Sequence, residues 1–347
     1  VSAYAGKDPE DVKLGAFRDM PLPNWNMKYT GLMRIGWFRD KFRRFSINHG
    51  YQSNYTINQF QTNLDYDPDN EFDTNILKGK FDIILLYENW NHNVPDKLIG
   101  IDNIGIPVIA RCGDFHATKR YDIISYHEKY NIDYYFGFSH PDYFYKFYPK
   151  KFNYKTIIFG LEKSLYENIQ QFENRIKNKI LNSGAIAHAN ISHKLKSRFK
   201  KPTHGDSIFE YKLRTMCTKL SYVDYTPTLN HDYVGDKYTI LLQKYQAAIA
   251  ATTNFPTIKY WEIPAAGCLT FMEITKTNNG DYLGYIDGES AIFINEDNYK
   301  EKFEEYLRNP DLPKWKEIAE RGRKHAMDNL NNDIATNSLA DLMEKLL

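Results

Sequence analysis

The sequence has few cysteines, no long apolar run and no excess of either charge, and each shortage excludes something. The three cysteines, Cys112, Cys217 and Cys268, are far apart and odd in number, with no metal-ligand spacing. A disulfide framework is excluded, and a reduced, cytoplasmic setting is expected. No apolar stretch approaches the roughly 20 residues of a membrane span, and no secretory signal pattern is visible. The chain opens on Val, so the natural start is expected upstream. Lys and Arg number 45 against 44 Asp and Glu, a formal charge of +1. That balance speaks against a dedicated nucleic-acid binder. The strongest basic run is His193–Lys201, "HKLKSRFKK". No internal repeat and no low-complexity segment is readable.

What is present is length and aromatic bulk. A chain of 347 residues exceeds what one core usually holds, so two domains are expected. Aromatics reach 15%, with 27 Tyr and 21 Phe. With abundant Asn, Ile and Lys, this fits an AT-rich genome as well as any functional reading.

After a polar, proline-bearing arm over 1–31, short apolar runs alternate with helical patterns. Strands are expected over 32–38, 81–87, 106–114, 133–139 and 154–160. "FDIILLY" is a continuous apolar run, as a strand covered on both faces requires. A polar helical bridge, "SLYENIQQFENRIKNK", leads to a second series. There, strands are expected over 179–187, 246–252, 268–274 and 290–295. Helices are expected over 206–220, in "NYKEKFEEYLRNP", in "LPKWKEIAERGRKHAMDNL" and in a final "SLADLMEKLL". Strands alternating with helices imply parallel sheets with right-handed crossovers. The expected fold class is α/β, with two Rossmann-like domains facing each other across a cleft. The domains are expected over 32–170 and 171–330, with a last helix over 331–347.

The most informative segment is "ATTNFPTIKYWEIPAAG", residues 251–267. A strand ends near Ala251. Thr252, Thr253 and Asn254 are cap-type residues, and Pro256 suits a first helical turn. A helix starting at a strand's carboxyl end offers free N–H groups to an anion. Here those are the amides near Thr257 and Ile258, with Lys259 beside them. Glu262 lies nearly two turns on, within reach of a diol beyond the phosphates. The plain alternative is a capped helix with a solvated surface Glu.

"KYWEIPAAGCLTF" and the following "GESAIFINEDNYKEKFEEYLRNPDLPKWKEIAERGRKHAMDNL" resemble the C-terminal domain of group-1 glycosyltransferases of the GT-B fold. The nearest branch is the CgeB-like one, typified by a spore maturation protein. That branch has a basic residue three positions before a Glu, then a small-residue turn with Gly, then an apolar strand. Lys259, Glu262, Gly267 and "CLTF" match in order. The match covers about 245–330, with weaker resemblance over 80–200.

The resemblance implies that Glu262 holds the ribose hydroxyls of a nucleotide sugar. The first acid of the family's acid pair falls at position 254, which here is Asn. Asn254 therefore stands where the family contacts the donor sugar. The resemblance also implies a donor-side C-terminal domain, an acceptor-side N-terminal domain and a final helix that crosses back to the latter.

Three further stretches carry candidates. A strand ends at Ser183-Gly184, where glycine permits a phosphate to approach the backbone. Downstream, Lys196, with Arg198 as alternate, matches the family's diphosphate-binding basic residue by position; the alternative is a solvated basic face. In "ARCGDFHATKR", Asp114 and His116 sit where loop residues face a cleft. Either group could take a proton from an acceptor hydroxyl; the alternative is a turn Asp beside a surface His. "LDYDPDN" holds Asp65-x-Asp67, a metal-binding pair in another glycosyltransferase fold. Pro68 and Asn70 read it here as a solvated turn. His140 and His204 read as ordinary histidines.

The expected function is metal-independent transfer of a sugar from a nucleotide-diphosphate sugar to a carbohydrate, protein or lipid-linked acceptor. No cofactor is expected beyond that co-substrate. The competing class is a non-catalytic two-lobed binder of a nucleotide or sugar, which the missing acid at 254 keeps open.

Overall fold

The computed structural model describes residues 25–29, 37, 47–51, 71–86, 95, 97–113, 115, 122–187, 207–227 and 233–347. The chain forms two compact units, 1–64 and 65–347. In the first unit, β1 (Trp25–Tyr29) pairs antiparallel with β2 (Ile47–Tyr51). The strand expected over 32–38 lies outside the described residues, apart from Trp37, which is helical.

The second unit carries the α/β architecture. β3 (Glu71–Asp73) and β5 (Lys97–Ile99) form a short parallel pair. β4 (Ile84–Leu86), β6 (Val108–Arg111), β7 (Tyr134–Gly137) and β8 (Tyr154–Thr156) form an all-parallel sheet in that order. Helices α1 (Ile123–Lys129) and α2 (Pro141–Phe144) lie between its last strands. The Asp122 carboxylate starts α1 by accepting from the Ile124 and Ser125 amides. The core here is aromatic: Phe144 stacks on Tyr148 and Tyr154, with centroids 4.3 and 4.1 Å apart.

A separate parallel sheet follows, in the order β10-β9-β11-β12-β13. Its strands are β9 (Ile176–Ser183), β10 (Val223–Thr226), β11 (Tyr245–Ala250), β12 (Leu269–Glu273) and β13 (Ile292–Ile294). Its helices are α3 (Ser207–Glu210), α4 (Lys212–Cys217), α5 (Tyr238–Leu242), α6 (Lys259–Ala265), α7 (Tyr299–Arg308) and α8 (Pro313–Asn329). β12 is buried at every position because strands flank it on both sides and helices cover it. α8 buries Trp315, Ile318, Ala319, Gly322 and Ala326, a stripe at helical spacing, against α6 and β12.

α9 (Asn332–Glu344) closes the chain, capped by the Asn331 side chain. It packs Ala335 and Leu342 against Phe136 and Ile157 of the first sheet. Lys155 Nζ donates to the Ser338 carbonyl at 2.6 Å, and the Gly160 amide donates to Asn332 Oδ1 at 2.8 Å. Among the described residues no helix is long and apolar enough to cross a membrane.

Several expected elements differ. The polar bridge is not one helix. It holds two short 3-10 turns, Lys163–Tyr166 and Phe172–Asn174, before β9 begins at Ile176. Arg175 draws in the Gln170 carbonyl and the Tyr166 ring sinks into the core, so tertiary contacts replace helical ones. The helix expected over 206–220 breaks at Tyr211 into α3 and α4. β10 went unread because an edge strand of four residues, buried mainly at Val223, carries little pattern. α9 starts six residues earlier than its apolar run.

Candidate functional site

In the second sheet, β10 lies on one side of β9 and β11 on the other. The chain therefore reverses its direction of growth at β9–β11. In an open parallel sheet, such a reversal leaves a crevice at the carboxyl ends of those two strands. The residues there are Ser183, the last of β9, with Gly184, and Ala251-Thr252 after β11.

α6 delivers two charged side chains to this crevice. Lys259 Nζ lies 3.3 Å from Ser183 Oγ and 3.2 Å from Tyr238 Oη, and 4.4 Å from the Tyr238 ring centre. Ser183 Oγ and Tyr238 Oη are themselves 2.6 Å apart. Glu262, three residues on and so on the same helix face, accepts from Tyr166 Oη at 3.4 Å. Its neighbours Trp261 and Ile263 are fully buried, with Tyr260, against small residues of β11 such as Ala248 and Ala250. That packing fixes the rotation of α6 and leaves the Lys259–Glu262 face toward the crevice.

Burial shapes both charges. Desolvation holds the Lys259 ammonium well below its usual range; Arg214 pushes it down further, and Glu262 opposes the shift. Desolvation holds the Glu262 carboxyl above its usual range, opposed by Lys259 and Tyr166. Burial thus disfavours both charges, while each charge favours the other. Glu262 is half-buried, which excludes the solvated surface acid considered from the sequence.

The segment before α6 departs from expectation. The helix begins at Lys259, with Ile258 at its cap, so Pro256, Thr257 and Ile258 all precede it. Thr252 Oγ1 donates to the Phe255 carbonyl at 2.5 Å and shapes the turn that delays the helix. With Pro264 inside it, α6 spans seven residues, and its dipole is correspondingly small. Thr257 keeps a buried hydroxyl without a hydrogen-bond partner among the described residues. Ile258 is 39% exposed.

Gly184 has φ +111°, in the left-handed region. Its N–H is engaged with the Thr226 carbonyl at 3.0 Å, so it can admit a phosphate by lacking a Cβ but not by donating that proton. Asn254 is tied to Glu210, its Nδ2 donating to Oε1 at 3.1 Å. A carboxylate thus stands beside position 254 although residue 254 is not an acid. Lys196, Arg198, Asp114, His116, Asp65 and Asp67 lie outside the described residues.

Sequence reasoning missed Tyr238, Tyr166, Arg214, Glu210 and Glu273. Arg214 is 2% exposed; its Nη1 donates to the Ala185 carbonyl, while Nε and Nη2 have no partner among the described residues. Glu273, at the end of β12, is 3% exposed, and its Oε2 has no partner among the described residues. Burial pushes its carboxyl up to about 7, against the pull of Arg214. No local pattern marks these residues; only sheet order brings them together. Among the described residues no three His, Cys, Asp or Glu side chains converge as a metal set.

The carboxyl ends of the two sheets meet. After β7, Phe138 packs on Trp261 and Phe255, with centroids 5.8 and 6.2 Å apart. Tyr143 stacks on Phe255 at 4.6 Å. Tyr282, after β12, donates to the Phe138 carbonyl at 2.6 Å, and Asn279 reaches His140. His140 also caps α2.

No family model matches the chain, and no curated protein matches it. Solved structures with a similar chain path include sucrose-phosphate synthase from Thermosynechococcus elongatus: 10% identity, TM-score 0.48, covering 77% of this chain and 74% of that one. Anabaena HepE in complex with UDP and glucose is similar at 12% identity and TM-score 0.46, covering 70% and 72%. An α-glucosyltransferase in complex with UDP-glucose and DNA containing an abasic site is similar at 11% identity and TM-score 0.48, covering 76% and 80%.

Proposed function

We propose that the protein is a GT-B glycosyltransferase that takes a nucleotide-diphosphate sugar at the carboxyl end of its second sheet. One observation carries the reading. Lys259 and Glu262, on one face of one helix, stand at the β9–β11 reversal against Ser183, where a phosphate-bearing ligand finds its crevice. The sequence resemblance over 245–330, to the CgeB-like branch, points to the same two residues.

In this reading Glu262 accepts from the ribose diol and Lys259 faces the diphosphate. Lys196 reaches the same diphosphate, and Gly184 leaves it room. Thr257 adds its hydroxyl and the backbone at Ile258 lies beside it. As the sugar–phosphate bond breaks, negative charge grows on the leaving diphosphate. A desolvated ammonium aimed at that charge stabilises it more than one in water would, so no metal is required. Asp114 or His116 is the proposed base that takes a proton from the acceptor hydroxyl. Sugar transfer in the cytoplasm fits this chemistry.

A thermal-shift panel of nucleoside diphosphates and nucleotide sugars tests the reading, because a ligand selective for the native state raises the melting point. One nucleoside diphosphate should stand out, and its sugar conjugate should be consumed when acceptor is present. No stabilisation by any member would end the proposal. The engagement of Asn254 by Glu210 favours a second reading, a non-catalytic two-lobed binder, because Asn254 is held and is not free to meet a sugar. Nucleotide-sugar binding with neither transfer nor donor hydrolysis would select it.

A further inference from the structure

At the amino ends of β9 and β12, the opposite edge from the crevice, a cavity of about 390 Å³ opens between the Ile169–Arg175 segment, Gly267 and α8. Its volume lies within the roughly 300–1,000 Å³ of small-ligand sites. Three cations line it: Arg175, Lys316 and Arg323. Lys316 is neutralised by Glu173 at 2.7 Å and Glu320 at 3.7 Å. Arg175 and Arg323 have no carboxylate at ion-pair distance among the described residues.

The two arginines are held by carbonyls instead. Arg175 donates from Nε and Nη2 to the Gln170 carbonyl at 3.0 and 2.5 Å and from Nη1 to the Ala266 carbonyl at 2.8 Å. Arg323 donates from Nη2 to the Tyr166 carbonyl, while its buried Nε has no partner among the described residues. Burial lowers the pKa of both, and Arg175 lowers that of Arg323 further. Glu173 offsets part of the Arg175 charge, but Arg175, Arg323 and Lys316 outnumber Glu173 and Glu320 in the lining, and the cavity's surplus positive charge favours an incoming anion. The donor geometry of the guanidiniums suits a phosphate or carboxylate. Phe172 and Ala319 give the cavity an apolar side. Gly267 keeps it open: at φ +73°, a Cβ there would fall 2.7 Å from Ile169 Cδ1 and 3.2 Å from Arg175 Nη2.

We propose that this cavity binds a small organic phosphate, with its oxyanion on Arg175 and Arg323 and its body against Phe172. The site lies at the opposite edge of the sheet from the nucleotide crevice, and Tyr166 joins the two: Arg323 holds its carbonyl while its hydroxyl donates to Glu262.

Calorimetric titration of the full chain with phenyl phosphate, inorganic phosphate and phenol tests it. Phenyl phosphate should bind saturably, inorganic phosphate more weakly and phenol not at all. Arg323→Met should weaken phenyl phosphate roughly tenfold or more. Glu320→Gln, which removes an exposed acid from the rim, should tighten it. Lys259→Met should leave it unchanged. Loss of binding in Lys259→Met would place the phosphate in the crevice and overturn the proposal, as would no saturable binding. Unaltered affinity in Arg323→Met would also overturn it. If Arg323→Met does not fold, Glu320→Gln decides: tighter binding supports the site and unchanged affinity rejects it.

Discussion

Glu262 and Lys259 are held as a pair whose charges burial opposes, and this makes their chemistry testable at single residues. Glu262→Gln keeps the shape and removes the charge. Hydrogen bonds to charged groups are worth roughly 1.5–3 kcal/mol, so nucleotide affinity should fall on the order of ten- to a hundredfold by calorimetry. Unchanged affinity in a folded variant would remove Glu262 from the site. Lys259, depressed by burial, gains a proton when a diphosphate arrives, because the anion favours the charged form. Binding should therefore take up protons and weaken as pH rises. Titrations in buffers of different ionisation enthalpy measure this; no buffer dependence would contradict it. Glu273 gives a stability prediction. Its folded pKa, about 7, lies above the ordinary glutamate value of 4.5, so the native state holds the extra proton between them. Its contribution is fully present below about 4.5 and is lost as pH rises toward 7, on the order of 3 kcal/mol in all. Glu273→Gln should flatten that slope in denaturant melts at pH 5 and pH 8; an identical slope would show that other groups carry it.

Among the elements, α6 and α8 are positioned by small residues that allow close approach. A Cβ on Gly322, inside α8, would fall 2.3 Å from the Ser290 carbonyl oxygen. In an exposed helix, Gly to Ala gains about 1 kcal/mol. Here overpacking of about 1–3 kcal/mol outweighs that gain. Gly322→Ala should lower the melting temperature, and a rise would show that α8 can shift outward at little cost. Gly160 makes the same kind of contact with α6. It has φ +102°, and its Cβ would meet Ile258 Cδ1 at 2.6 Å. The segment leaving the first sheet thus braces the start of the helix that carries Lys259.

In the described unit 65–347, α9 belongs by sequence to the end of the second series and by packing to the first sheet. Ending the chain after Asn331 would uncover Phe136 and Ile157, which are 4% and 3% exposed. Two or three buried apolar side chains at about 1.5–3 kcal/mol each put the expected loss at roughly 3–9 kcal/mol. The truncated protein should bind a hydrophobic dye and melt earlier; an unchanged melt would mean that α9 is only appended. The proposed chemistry also makes a prediction for the whole protein: turnover should be indifferent to a chelator. Its loss, with restoration by a divalent cation, would reject metal independence.

Apolar runs marked several strands, because a strand buried on both faces must be apolar throughout: "IPVIARCGD" and "CLTFMEI" each hold one, whereas "FDIILLY", expected to be covered on both faces, holds the three-residue edge strand β4 with Leu85 41% exposed. Helical spacing likewise determined α7 and α8. The α/β class with parallel sheets was legible for that reason, and Lys259 and Glu262 were legible as a spaced pair before a glycine turn. Tertiary structure alone decided the rest. Sheet order sets Ser183 and Tyr238 against Lys259 across 76 and 21 residues of chain. It buries Glu262, Arg214 and Glu273 and so sets their charges. It also turns a polar linker into the wall of a cavity. Burial and opposition across a sheet depend on which strands become neighbours, and no local run of residues encodes that.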